Sequence, residues 1–132
     1  MAKTPEDLAG IYRALKTLLM EYETPRPGLV LQGRSASDQD YDLWSVRDLV
    51  IDGRSRKEIF FAGLRRQKAF IGFYFLPVHT EPGIGPSLAP ALFKLLKGKS
   101  CFHLKTLDGG LLDQIRDALN RGLDGYQKRG WV

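Results

Sequence analysis

The sequence predicts an α+β fold, a two-layer α/β sandwich in which an antiparallel sheet of about five strands carries an N-terminal and a C-terminal helix on one face. Two observations predict it: an amphipathic helix pattern at each end of the chain, and strand-like runs separated by turn residues between them. The chain has 132 residues, of which 43% are hydrophobic and 27% charged. It is therefore long enough for one buried core, and a single domain over residues 1–132 is predicted.

The first predicted element is a helix of about five turns. Thr4 is a good N-cap residue, and Pro5 suits the first helical position. Apolar residues then recur at spacings of three and four as far as Tyr22, which indicates a single buried stripe. Pro25 ends the pattern because proline cannot continue a helix.

Predicted strands fill the middle of the chain. The two strongest form a hairpin and are apolar on both faces, so leaving one face in water would forfeit burial energy. We therefore expect the Ile84–Leu96 segment, a second subunit or a ligand to cover the face that the helices leave open. The strands are predicted at Leu29–Arg34, Tyr41–Val46, Asp48–Ser55 (less regular, with an Asp52-Gly53 turn), Lys57–Leu64, Phe70–Val78 and Ser100–Lys105, the hairpin being the fourth and fifth.

Two more helices are predicted after the hairpin. Prolines and glycines between residues 77 and 86 indicate a loop, and Ser87–Leu96 is predicted to form a short helix closed by Gly98. The last helix is predicted over Asp108–Arg129, where a second apolar stripe recurs at helical spacing, and Gly130 ends it.

The net charge of +5 is unevenly distributed. Residues 1–52 carry six Lys and Arg against nine Asp and Glu, whereas residues 53–132 carry fourteen against six. An acidic half that contacts a basic half and a basic surface that faces an anionic partner both fit this asymmetry.

The composition also bears on compartment. No apolar run approaches the roughly 18 residues of a membrane helix, so no membrane partner is expected. The N-terminal residues lack the charged and then apolar pattern of a signal peptide. The single cysteine excludes an internal disulfide and a multi-cysteine zinc site. A cytoplasmic location is therefore expected.

Four runs resemble a known family: Glu58–Phe61, Phe70–Val78, Lys97–His103 and Gly130–Trp131. Together they look like the YdhG-like group of small bacterial domains, and the resemblance covers nearly the whole chain. That group is classed in the YdhG/YjbR/CyaY superfamily, whose frataxin-like fold packs terminal helices on one face of an antiparallel sheet. The resemblance implies the same architecture as the periodicity, and it implies no particular reaction because fold does not determine function.

Three aspartates have the opening spacing of a calcium loop: Asp38, Asp40 and Asp42. The remainder of the loop does not match, because Leu43 stands where glycine is needed and Leu49 stands where glutamate is needed. A solvated turn is therefore expected.

Cys101 and His103 are two residues apart on a predicted strand, so both side chains point to one face. That spacing holds them about 7 Å apart along the strand, too far for a nucleophile and its base. No catalytic residue and no metal ligand is predicted, although an enzyme of unknown type stays open. His79, at a strand end, is expected to be a solvated loop residue, and no cofactor is predicted.

The favoured function is a small binding module with its site on the open face of the sheet. A site of this kind combines apolar walls with a few polar groups, and Lys105 and His103 favour a small anionic ligand. A protein partner is the other occupant considered, and the chain is expected to be a monomer or a homodimer. The predicted ligand-binding residues are Gly72, Tyr74, Leu76, Cys101, His103 and Lys105.

Two alternatives remain. The frataxin-like resemblance implies iron binding or delivery, but this first helix carries only Glu6, Asp7, Glu21 and Glu23, split between its two ends. The basic C-terminal part makes nucleic-acid binding the other alternative, since phosphate contacts need such charge. The cations at the two ends of the hairpin are Arg54, Arg56, Lys57, Arg65, Arg66 and Lys68.

Overall fold

The computed structural model describes residues 8–23, 31–35, 37–46, 48–51, 53–81 and 83–131. The predicted helix start at residues 4–7 lies outside these ranges, as do Pro25 and Asp52. The elements are α1 (Leu8–Met20), β1 (Leu31–Arg34), β2 (Asp40–Ser45), β3 (Leu49–Ile51), β4 (Arg54–Arg56), β5 (Ile59–Arg66), β6 (Ile71–Phe75), α2 (Pro77–Thr80), α3 (Ile84–Ser87), α4 (Pro90–Phe93), β7 (Leu96–Lys97), β8 (Cys101–Leu104) and α5 (Gly109–Arg129).

The α+β class is confirmed, with more strands than the sequence predicted. The main sheet has six strands in the order β1-β2-β5-β6-β8-β7, and every neighbouring pair is antiparallel. Strands β3 and β4 form a separate hairpin. The irregular 48–55 segment is this hairpin: Gly53, at φ 77°, adopts the left-handed conformation that lets the chain reverse.

Both long helices pack on the same face of the main sheet. Helix α1 lies against β5 and β6. In α5, the Tyr126 ring packs edge-on against Phe61 with centroids 5.4 Å apart, and Gly122 lies against the Phe75 ring. The helices also meet each other, since Tyr22 donates a 2.6 Å hydrogen bond to Asn120 Oδ1. The predicted two-layer arrangement therefore places one sheet face in the core.

The core lies between these two layers. Every second residue of β6 and β8 is buried there, and the apolar stripes of α1 and α5 cover them from above. Burial removes these side chains from water, which is the main stabilising contribution to the fold. The fully buried members on the sheet side include Leu43, Phe61, Leu64, Ile71, Phe73, Phe75, Phe102 and Leu104.

Helix α5 has a capped first turn and ends at the glycine that the sequence predicted. The Leu111 amide donates a 2.7 Å hydrogen bond to the Asp108 carboxylate, which caps the first turn. Gly130, at φ 75°, closes the last turn in the left-handed conformation. The predicted start at Asp108 is thus the cap, and the helix itself begins at Gly109.

The segment between β6 and β8 differs from the prediction. The strand expected to reach Val78 ends at Phe75 because Pro77 lacks the amide that a ladder needs and starts α2. A loop and a single short helix were expected here. The structure instead has three helices of four residues and the two-residue strand β7. Helices α3 and α4 contact α5, and Ile84 and Leu92 are buried in the core. This segment therefore extends the helix layer and does not cover the other sheet face.

Candidate functional site

The face of the main sheet opposite the two long helices is called the open face. Its residues alternate with the core residues along each strand, and the antiparallel register places them side by side. The aromatic side chains on it are half-buried. The open face consists of Gln32, Arg34, Asp40, Asp42, Trp44, Phe60, Gly63, Arg65, Phe70, Gly72, Tyr74, Lys97, Cys101 and His103.

Two glycines lie at the centre of the open face, and aromatic rings extend over both. A Cβ atom at Gly63 would lie closest to Oδ1 of Asp42 and 3.0 Å from Cζ of Phe60, and one at Gly72 would lie 3.1 Å from Cε2 of Tyr74. A larger residue at either position would push the ring away. The glycines therefore let rings lie across the sheet surface.

These rings form a row across four strands, called the aromatic row: Trp44, Phe60, Tyr74, His103 and Phe70. Trp44 and Phe60 pack edge to face with centroids 5.4 Å apart. The Phe60 ring reaches over Gly63, which is the register partner of Tyr74. The Tyr74 ring in turn reaches over Gly72, the partner of His103.

The row ends in a stacked pair. The Phe70 and His103 rings have centroids 4.0 Å apart and an interplanar angle of 15°. The backbone amide of His103 donates a 3.1 Å hydrogen bond to the carbonyl of Leu95, the residue before the edge strand β7. Both rings keep one face free of this pairing, because a stacked ring uses only one of its two faces.

Arginine side chains accompany the aromatic row. Arg65 forms a two-pronged pair with Asp42, with N–O distances of 2.7 and 2.9 Å. The hydrogen bond to Asp42 raises the pKa of Arg65 further above its ordinary value, although burial opposes that shift. Arg34 lies 5.3 Å from the centre of the Trp44 ring and pairs with Glu58. Both guanidinium groups are held in place by carboxylates.

The thiol of Cys101 lies beside Tyr74, its register partner. Burial raises the pKa of Cys101, and a hydrogen bond with Tyr74 opposes the shift without reversing it. Burial likewise raises the pKa of Tyr74, and the neighbouring Cys101 raises it further. Both groups are therefore protonated at neutral pH, so Cys101 is a weak nucleophile and Tyr74 is an uncharged hydrogen-bonding group.

A groove of about 410 Å³ lies at the Trp44 end of the open face. Its walls are mostly apolar, and it has arginines at its rim. The guanidinium of Arg129 lies 4.9 Å from the centre of the Trp131 ring and donates to Glu81 and to the Thr80 carbonyl. The groove is lined by Trp44, Ile51, Arg56, Glu58, Ile59, Phe60, Leu76, Thr80, Arg129 and Trp131.

The structure brings together four of the six predicted site residues. Gly72 pairs with His103, and Tyr74 pairs with Cys101. The other two lie at opposite ends of the face: Leu76 lines the groove, and Lys105 is exposed just beyond β8.

The sequence reasoning missed Trp44, Phe60 and Phe70. Phe70 carried a signal, since it continues the alternation of Gly72 and Tyr74 by two residues. No sequence signal indicates the side on which Phe60 lies, because a bulge next to it shifts the register of β5 against β2. Both Phe60 and Phe61 read as apolar, and only the bulge decides which of them faces the helices.

Asp38, Asp40 and Asp42 do not converge. Asp38 lies in an exposed turn, and Asp40 accepts a hydrogen bond from the Ser37 amide, whereas Asp42 binds Arg65. His79 is exposed on α2. Within the described ranges there is no group of three or more His, Cys, Asp or Glu residues arranged to hold a metal ion.

None of the helices in the described part of the chain is long and apolar enough to cross a membrane. No family model, curated protein or solved structure matches the chain. The open face and its residues are therefore interpreted from their own geometry and chemistry.

Proposed function

We propose that this protein is a small binding module and that its open face binds a planar, anionic ligand. The observation that carries the proposal is the aromatic row, which Gly63 and Gly72 allow to lie across the sheet face opposite the long helices, beside arginines held by carboxylates. The proposed site keeps Gly72, Tyr74, Cys101 and His103 from the sequence prediction, and Leu76 and Lys105 stand at its ends.

The rings supply the apolar part of such a site. Half-buried aromatic side chains leave apolar surface in water, and each such area forfeits about 25 cal/mol per Å² until a ligand covers it. A flat ligand covers rings better than a branched one, because offset stacking uses the whole ring face. The preference for planarity follows from this geometry.

The charges supply the preference for an anion. Arg56, at the groove, and Lys97, opposite Cys101, form no ion pair among the described residues. An anionic group can therefore approach either one without displacing a carboxylate. Asp42 and Glu58, the acids nearest the row, are neutralised by Arg65 and Arg34.

The architecture and composition also support a proposal about the family and the cellular location of the protein. We propose that the sandwich is frataxin-like, that the domain is YdhG-like, and that the protein works in the cytoplasm. The support is the order of helix, antiparallel strands and helix with both long helices on one face, and the single cysteine. The iron alternative has weaker support, because Glu21 pairs with Arg116 and Glu23 accepts from Tyr41.

Amide chemical-shift mapping of the ¹⁵N-labelled protein tests the proposal. Adenosine 5′-monophosphate serves as a planar anionic probe, adenosine as the ring without the charge, and glycerol 3-phosphate as the charge without the ring. We expect the monophosphate to shift the amides of Gly63 and Gly72, and each partial probe to shift them less at equal concentration. The matched reporters Gly122 and Gly125, buried in α5, should not move.

Equal amide shifts at Gly63, Gly72, Gly122 and Gly125 would contradict the proposal. So would the absence of any shift at Gly63 and Gly72 with millimolar adenosine 5′-monophosphate. A response to adenosine as large as the response to its monophosphate would remove the role of charge and leave a site for neutral rings.

A further inference from the structure

We propose that the open face accommodates a single-stranded nucleic acid, whose bases stack on the aromatic row while its phosphates contact cations at both ends of the row. The inference rests on the proposed function and names its ligand class. It follows from two features: the extent of the row and the position of the cations at its ends.

The row is long enough for more than one base. It crosses β2, β5, β6 and β8, three strand spacings of about 4.8 Å each, so it spans about 14 Å across the sheet. It also descends along β6 from Tyr74 to Phe70, four residues or about 13 Å. A single small ring system covers only part of such a surface. Successive unstacked bases cover it fully, and stacking tolerates any sequence because every base has a π-face.

Cations stand where a backbone crossing the row would emerge. Arg34 and Arg56 lie at the Trp44 end, the first over the indole ring and the second in the groove wall. At the other end, Lys97 is the register partner of Cys101, and Lys105 follows His103 by two residues. Phosphate binding by such groups supplies sequence-independent affinity.

The cations of helix α5 are compensated by carboxylates, unlike most of those at the two ends of the row. On α5, Arg116, Arg121 and Lys128 each pair with a carboxylate at 3.0 Å or less. Among the described residues, the cations on the open face or in its groove that form no ion pair are Arg56, Lys97 and Lys105. These cations place positive charge at both ends of the aromatic row, which is the complement of a polyanion.

A single strand fits this face better than a duplex does. The rings need exposed base faces, and in a duplex those faces are stacked inside the helix. The aromatic row also lies on strands of the main sheet, and it offers no helix or ribbon to enter a major groove.

Fluorescence anisotropy with labelled oligo(dT) of about 20 nucleotides, longer than the roughly 4–16 nucleotides that single-strand-binding folds occupy, tests the inference. Labelled oligo(rU) of equal length separates RNA from DNA, and a duplex of equal length is the shape control. We expect both single strands to bind more tightly than the duplex. The logarithm of the association constant should fall linearly with the logarithm of salt concentration.

Two matched pairs of variants localise the binding. Tyr74→Ala should weaken oligonucleotide binding by about 5- to 140-fold, the loss of one stacked base, whereas Phe93→Ala, which removes an exposed ring on α4, should change nothing. Arg56→Ala should lower the salt slope by about 0.7, and Arg13→Ala, an exposed arginine on α1, should not. If Tyr74→Ala loses the native circular dichroism spectrum, Phe70→Ala replaces it.

Equal affinities of wild type and both open-face variants, or equal affinity for duplex and single strand, would overturn the inference. A second outcome separates the two proposals. If the Gly63 and Gly72 amides respond to adenosine monophosphate but the protein binds no oligonucleotide, the nucleic-acid inference fails and the proposed function stands. A dimer in size-exclusion chromatography that Tyr74→Ala dissociates, with no oligonucleotide binding, would assign the face to a second copy of the chain.

Discussion

Strand β6 and the residue before it place the same kinds of side chain in two different environments. Phe73 and Phe75 point toward the helices and are fully buried, whereas Phe70 and Tyr74 point the other way and are half-buried. All four are aromatic, and alternation along the strand assigns them to opposite faces. The difference teaches that hydrophobicity alone does not mark the core: the face that the helices occupy does.

The two faces also differ in how tightly they are filled. On the helix side, Gly122 of α5 lies so close to the sheet that a Cβ there would be 2.5 Å from the Phe75 ring. On the open side, a Cβ at Gly72 would lie 3.1 Å from the edge of the half-buried Tyr74 ring and 3.6 Å from the Arg65 carbonyl oxygen, and one at Gly63 would meet the side chain of Asp42. A close-packed interior resists added volume, whereas a surface ring can turn aside.

The largest expected difference between the two faces is in the free energy of unfolding when a side chain is truncated to alanine. Phe73→Ala should lower the free energy of unfolding by about 3–5 kcal/mol, because it leaves a cavity between the layers. Tyr74→Ala, one residue along, should lower it by about 1 kcal/mol or less, because its ring borders solvent. Guanidinium denaturation of both variants gives the two values. Similar losses would mean that the open face is as tightly packed as the core.

Added volume should give the next largest difference. Gly122→Ala is expected to lower the free energy of unfolding by about 1–2 kcal/mol, since overpacking costs about 1–3 kcal/mol and the better helix propensity of alanine returns up to about 1 kcal/mol. Gly72→Ala should change it by less than about 0.5 kcal/mol because the Tyr74 ring turns aside. Thermal unfolding measures both. A stabilised Gly122→Ala would show that α5 has room to move outward.

Hydroxyl groups offer a smaller test. The Tyr126 hydroxyl donates a 2.7 Å hydrogen bond to the buried Phe60 carbonyl, and burial raises the pKa of Tyr126, so the group stays protonated. Tyr126→Phe should therefore cost about 1 kcal/mol of unfolding free energy. Tyr74→Phe, on the open face, should be neutral within about 0.5 kcal/mol. Chemical denaturation of this pair decides whether buried and exposed hydroxyls differ as the two faces predict.

The smallest expected effect is a pH dependence at Cys101. Because burial raises its pKa in the folded protein, the unfolded chain loses the thiol proton first as the pH rises. This thiol's contribution to stability should therefore be complete below its ordinary pKa of about 8.5 and decline above it. Alkylation at pH 8 should also be slower than that of a free cysteine, and slower still in Tyr74→Phe, which lacks the hydrogen bond that lowers the pKa.

Titration of stability between pH 7 and pH 10 in wild type and Cys101→Ser gives the first part of this prediction. Equal pH profiles for the two proteins would contradict it. An alkylation rate equal to that of a free cysteine would show that the thiol is not shielded by Tyr74 and the sheet.

Much of the fold was predictable because local signals and burial agreed. The stripe of α1 and the stop at Gly130 each act within a few residues, and the structure bears them out. The short helices after Pro77 were not predicted as such, because segments of four residues have too few apolar positions to show a period.

Part of the candidate site was predictable, because it depends on local alternation along single strands. Gly72, Tyr74, Cys101 and His103 follow from alternation within two strands, and the register pairs them as expected. Trp44 and Phe60 come from strands far apart in sequence from β8, and the bulge in β5 determines the side of Phe60. Leu76 leaves the predicted row because the chain turns at Pro77.

The amino-acid order alone determined the two amphipathic helices, the central apolar hairpin and the alternation of its side chains, because each depends on interactions between residues that are near one another in the chain. The tertiary structure decided which sheet face the helices cover, how the strands align across the bulge, and which rings therefore meet in one row beside unpaired cations. Those outcomes depend on contacts between distant segments, and packing between layers, rather than local preference, selects them.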